Sequence, residues 1–208
     1  MIFKLLLEGI LMGFLASVLL GPTGILVIQR TVNQNQLSGM FSGIGAAISD
    51  TIYAGISGFS VAIIFNFIRE YEILLKTGIS IILLLLGVII LFSNPQKYAQ
   101  KEILSSKNYF KNFITTFLVA ASNPLIMLVH IALFAGFGIA LDINNPMGAL
   151  FILSGFLLGA LTWWFSLTGV ISRFKNKISK KIFQQFNRIA GSTIILIVLF
   201  SLAYFFWI

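Results

Sequence analysis

Asp50 is the residue with the most chemistry to offer and the least company. It is the one charged side chain between Leu37 and Phe67. About 13 residues into an apolar helix, at ~1.5 Å per residue, it lies roughly 20 Å along the axis. A carboxylate at that depth costs about 2.5–3.5 kcal/mol on insertion scales and is kept where it meets a cavity, a partner, an ion or a moving proton. It could hold an ammonium group or carry a proton. A purely structural, hydrogen-bonded Asp is the bland alternative. Two proline sites add backbone chemistry. In Gly21-Pro22-Thr23-Gly24 the proline removes a donor and clashes with the preceding turn. Its glycine neighbours loosen the helix further. In Ala121-Ser122-Asn123-Pro124 a second proline follows two polar side chains. A break at membrane depth is tolerated where protein or water satisfies the freed groups. It offers amides and a positive helix end to an anion. The competing reading is a simple kink. Lesser candidates are Thr162, Trp163 and Trp164, with Gln29 and Arg30 beside the first break. His130 stands alone and reads as structural or pore-adjacent.

These residues need helices that cross lipid. The chain has 208 residues, 58% hydrophobic and 10% charged. Soluble domains carry about 25% charged residues. Its apolar residues form six blocks, near Phe3–Ile28, Leu37–Phe67, Ile73–Phe92, Phe113–Leu141, Met147–Ser172 and Ile189–Ile208. Each meets the ~20 residues a spanning helix needs. Continuous blocks favour helices over barrel strands, which alternate apolar and polar residues. The first block is too long for a cleaved signal peptide, and five more follow it. The expectation is an all-α membrane protein of about six transmembrane helices, with residues 1–208 as one transmembrane domain.

Charge gives the orientation. Eleven of the 14 Lys and Arg fall after the first, third and fifth blocks, from Arg30 through Lys97–Lys111 to Arg173–Arg188. Cytoplasmic loops collect such residues. The basic connections should therefore face the cytoplasm and both termini should face out. Topology accounts for the net charge of +8, so no nucleic-acid partner is expected. The last basic loop could touch anionic lipid.

The block starts pair at offsets of 110, 110 and 116 positions. Two three-helix repeats, 1–92 and 113–208, joined by the basic loop 93–112, would be inverted relative to each other. Secondary transporters commonly use that plan. Small residues recur every three or four positions, as in Gly9, Gly13, Ser17 and Gly21, and in Gly39, Gly43, Ala47, Asp50 and Ala54. Such stripes let membrane helices pack closely.

The same residues resemble a known family. Leu20-Gly21-Pro22-Thr23-Gly24, apolar to Ile28 and then Gln29-Arg30, looks like the first-span signature of the LysE/RhtB-type amino-acid exporters. The run from Gly43 to Asp50 resembles their second span, and Asn123-Pro124 their fourth. Leu158–Trp164 and Ile189-Ala190-Gly191 resemble the last two. The order agrees along essentially the whole chain. The resemblance implies a transporter in the bacterial plasma (inner) membrane that exports amino acids or related small solutes. Many members have Pro-Gly-Pro where this chain has Leu20-Gly21-Pro22. Others have Gln-Asn where it has Thr23-Gly24. Those departures put basic amino acids in doubt as cargo.

The expected site is Asp50 with Gly21, Pro22, Thr23, Gly24, Asn123 and Pro124, and secondarily Thr162 and Trp163. Freed amides would hold a carboxylate, and Asp50 an amino group or the coupling proton. No nucleotide-binding loop is present, so an ion gradient would drive export. No enzyme activity is expected, because no nucleophile–base pair appears. With no cysteine and one histidine, neither a metal centre nor a redox cofactor is expected. Export of an inorganic cation is a rival, but one deep carboxylate is few ligands. A non-transporting membrane scaffold is a second rival. The expected partners are a small-molecule substrate, the bilayer and a second copy in a homodimer.

Overall fold

The computed structural model describes residues 2–18, 22–70 and 108–174, with isolated positions 81, 84, 85, 88, 192, 195, 196 and 199. Most of the third and sixth expected spans, Gly21 and the basic residues Lys97–Lys107 and Lys175–Arg188 lie outside the described residues. What is described is all-helical. Six helices follow in order: α1 (Ile2–Val18), α2 (Pro22–Asn33), α3 (Gln36–Glu70), α4 (Tyr109–Ala121), α5 (Pro124–Gly136) and α6 (Pro146–Phe174).

Local chemistry sets where they start. Three prolines stand at first helical positions, where a missing N–H costs nothing. Three asparagines cap helices by accepting an amide hydrogen bond. Asn35 accepts from Ser38 at 2.8 Å, Asn108 from Lys111 at 3.0 Å and Asn145 from Gly148 at 3.0 Å.

The 29-residue α6 is long and apolar enough to cross a membrane alone. The expected first and fourth spans are instead pairs of helices, α1 with α2 and α4 with α5, bent by 76° and 71°. Each pair together is long and apolar enough to cross once. At the second bend Pro124 has no amide to give, and the residue before a proline avoids helical geometry. The helix therefore closes early. Ser122 N–H bonds to Leu118 O and Asn123 N–H to Ala120 O, before α5 starts.

Glycines fix which helices touch. A Cβ on Gly9 or Gly13 of α1 would collide with the carbonyls of Ile152 and Phe156 on α6. A Cβ on Gly155 or Gly159 would meet those of Leu6 and Ile10. Residue numbers rise together, so α1 and α6 run parallel. On α3, Gly45 faces the Phe113 carbonyl and Phe117 amide of α4, and Tyr53 bonds to Ala121. Helices α3 and α4 are parallel too. In contrast, Gly39 faces Thr168, Gly43 faces Trp164 and Gly55 faces Leu153. Helices α3 and α6 thus cross antiparallel. Gly45 and Gly155 stand 110 positions apart and meet the same pair of groups, a carbonyl and the amide four residues on.

Two apolar clusters fill the bundle. One holds Met12, Ala54, Phe134, Leu141, Ile152 and Phe156. The other holds Val27, Ile28, Ala46, Ala47, Trp164 and Leu167.

Candidate solute site

Asp50 lies on α3 between those two clusters. Ala46 and Ala47 belong to one and Ala54 to the other. The side chain is buried at 8% exposure. Among the described residues, no donor is bonded to its carboxylate.

Both helix breaks approach the stretch of α3 that holds Asp50. Helix α2 runs back along α3: Thr31 meets Gly39, Arg30 meets Ser42, and Val27 and Ile28 share a cluster with Ala46 and Ala47. One further turn of the same register brings Thr23 and Gly24 level with Asp50. Both are buried in the first turn of α2, where amides have no partner within the helix. The second break approaches from α4. Tyr53, one turn beyond Asp50, donates its hydroxyl to the Ala121 carbonyl at the end of α4. Ser57, a turn further, reaches the Met127 carbonyl of α5 at 3.4 Å. Asn123 is half-buried in the break, and its carbonyl accepts from Ile126 at 3.2 Å.

His130 joins the same face from α5. Its Nδ1 contacts the Ile126 carbonyl at 2.6 Å, and its ring lies against Tyr53 and Phe156 at 6.5 and 5.3 Å. It is 2% exposed, and its Nε2 has no partner. Other buried polar atoms without a partner among the described residues are Ser17 Oγ, at the end of α1, Ser38 Oγ, at the start of α3, Ser49 Oγ, beside Asp50, and the indole nitrogens of Trp163 and Trp164. An unmet buried polar group costs about 1–3 kcal/mol. Several of them near two broken helices mark a place where water or a polar solute can supply the missing bonds.

The expected site residues are not all brought together. The register of α2 on α3 carries Thr23 and Gly24 toward Asp50, whereas the break holding Asn123 meets α3 one to two turns further on, at Tyr53 and Ser57. Pro22 and Pro124 start α2 and α5. Gly21 is outside the described residues. Thr162 is exposed and its hydroxyl bonds to Leu158 O at 2.7 Å, so it turns away. Trp163 packs edge-on against Phe14 near the end of α1. Arg30, counted above with the connecting-loop cations, is buried inside the bundle at 7% exposure. Tyr53 was not among the expected residues, although its position one turn from Asp50 is visible in the chain. Among the described residues, no three His, Asp or Glu side chains gather as a metal would need.

Residues 14–204 match the family described as LysE type translocator. The chain belongs to this family. The matched stretch holds both breaks, Asp50 and His130. A Bacillus subtilis (strain 168) protein named "Putative amino acid efflux protein YcgF" is similar at 24% identity, with 92% of each chain covered. A LysE type translocator is a transporter, which fits apolar helices broken around a polar level. An enzyme's nucleophile and base are not what the family assignment implies.

Proposed function

We propose that this translocator is a secondary active exporter of amino acids or related small solutes, coupled to protons. The reading is supported by two bent helix pairs whose breaks approach the stretch of α3 that holds the buried carboxylate of Asp50. First-turn amides at Thr23 and Gly24 are suited to a solute carboxylate. Asp50 is suited to the ammonium group, or to the coupling proton, or to each in turn. Asn123 and the bonds that close the α4–α5 break shape the other wall. A helix start that attracts an anion and a carboxylate that attracts a cation together suit the two charged ends of a zwitterion.

Parallel packing of α1 on α6 and of α3 on α4, with α3 antiparallel to α6, supports two inverted halves, 1–92 and 113–208. So do the matching contacts of Gly45 and Gly155. Rocking of such halves about a central site gives alternating access. With the basic connections inside, the chain crosses the bacterial plasma membrane several times with both termini outside. A homodimer is the proposed assembly.

The test is flux in proteoliposomes holding the full chain. Labelled amino acids and, separately, divalent metals are offered with and without an imposed pH gradient. Amino-acid movement that follows the gradient supports the reading. Metal movement without amino-acid movement favours the cation reading. No flux at all, with a co-purifying protein, favours a scaffold.

A further inference from the structure

Arg30 is the centre of a polar cluster outside the solute site proposed above. Its Nη1 donates to Ser42 Oγ at 3.1 Å, to the Asn112 carbonyl at 2.7 Å and to Thr116 Oγ1 at 2.7 Å. Its Nη2 donates to Thr115 Oγ1 at 2.7 Å. The three hydroxyls are prepared for this. Each gives its own proton to a carbonyl one turn back: Ser42 to Ser38, Thr115 to Lys111, Thr116 to Asn112. Their lone pairs are left facing the guanidinium. A second layer lies beside it. Asn112 Nδ2 donates to Gln34 Oε1 at 2.8 Å, Asn35 Nδ2 to the Tyr109 hydroxyl at 3.3 Å, and the Tyr109 ring stacks on Phe41 at 5.2 Å.

Every one of these interhelix links from Arg30, Gln34 and Asn35 joins α2, the α2–α3 turn or the start of α3 to α3 or α4. They sit at the N-terminal ends of α3 and α4, with Ser42 about two turns before Asp50. Across the bundle the corresponding positions are different. The shift that lays Gly45 on Gly155 takes Ser42 to Ile152. The shift that lays Pro22 on Pro124 takes Arg30 to Ala132. There the partner is Gly9, packed on the Ile152 carbonyl. One seam is a hydrogen-bonded clamp and its counterpart is a backbone contact. Hydrogen bonds from a guanidinium to hydroxyls can be exchanged for bonds to water when the seam opens, at a moderate net cost for each. Interlocked backbones have no such substitute.

We propose that Arg30 latches a gate at this end of the α3–α4 seam. While its bonds hold, the Asp50 level is closed from the face that carries the start of α3. Opening breaks them, and closing re-forms them, once in each transport cycle. Arg30 acts as a positioning residue and does not touch the solute. The proposal rests on the export reading for its meaning, but its test does not need a known solute.

The chain has no cysteine, so a single thiol reports access without background. Ser49 is 1% exposed, next to Asp50 and beyond the latch. In the Ser49→Cys chain, a membrane-impermeant thiol reagent is applied from either face of reconstituted vesicles. Adding Thr116→Val, which keeps the shape but removes an acceptor, should raise the labelling rate at least tenfold from the face bearing the start of α3. That face is cytoplasmic in the proposed orientation. Arg30→Lys, which keeps the charge but loses the fork, should do the same. Labelling from the other face should change less than twofold. An unchanged rate in folded variants overturns the latch. So does an equal rise from both faces, which is general loosening. If the parent chain moves no amino acid while the one-sided rise is seen, the export reading fails and the gate stands.

Discussion

The α1–α6 and α3–α4 seams share a geometry and differ in chemistry. Both join parallel helices, and both bring a glycine onto a facing carbonyl and amide. Along α1–α6 the close approach repeats at Gly9, Gly13, Gly155 and Gly159. Along α3–α4, among the described residues, it occurs at Gly45, and hydrogen bonds from Arg30 and Tyr53 do the rest. Lipid tails are as apolar as Leu, so membrane helices associate by packing and hydrogen bonds, not by hydrophobic burial. A seam made of backbone packing is short-ranged and stiff. A seam made of side-chain hydrogen bonds can be opened and rebuilt. The comparison suits the α1–α6 seam to a fixed contact and the α3–α4 seam to the proposed gate motion.

Substitutions can break that contrast in graded steps. Gly13→Leu should have the largest effect. It drives a side chain into the Phe156 backbone, and overpacking costs about 3 kcal/mol where nothing can yield. A large drop in folded yield and in the thermal midpoint in detergent is expected. Thr116→Val removes one hydrogen bond to a charged group, worth about 1.5–3 kcal/mol. Its midpoint should fall less than that of Gly13→Leu. If it falls more, the assignment of the stiff seam is wrong. Tyr53→Phe loses a neutral bond to the Ala121 carbonyl, worth about 0.5–1.5 kcal/mol. It should slow flux several-fold while the protein stays folded, because it frees the end of α4 at the break. Thr162→Val should do least. The hydroxyl faces outward and is already satisfied by Leu158, so stability should stay within about 0.5 kcal/mol and flux should match the parent.

What could be read from the chain follows from what is local. Proline chemistry acts on its own helix, so both breaks were visible at Pro22 and Pro124. Asp50 stood out because a lone carboxylate in an apolar run is costly wherever the run packs. The face of a helix is not local. Thr162 and Trp163 are neighbours, yet one turns outward and the other packs on Phe14. Arg30 is legible as a lesser candidate beside the first break, but charge counting also places it with the loop cations, because a count weighs position along the chain. Its burial depends on Ser42, Thr115 and Thr116, more than 80 residues away in the case of the threonines. Tyr53 was overlooked because its partner is a carbonyl freed by a break in another helix. The pairing of α1 with α6 joins opposite ends of the described chain and leaves only a glycine spacing as its trace.

Asp50→Asn in proteoliposomes tests the central claim most directly. The neutral side chain keeps the size of the acid but cannot exchange a proton. Uphill amino-acid movement driven by a pH gradient should fall at least tenfold. Exchange of labelled for unlabelled amino acid needs no net proton transfer, so it should persist if Asp50 carries only the proton and fall as well if Asp50 holds the ammonium group. Undiminished uphill movement by Asp50→Asn would contradict the account, because Asp50, the buried carboxylate among the described residues, would then have no part in coupling.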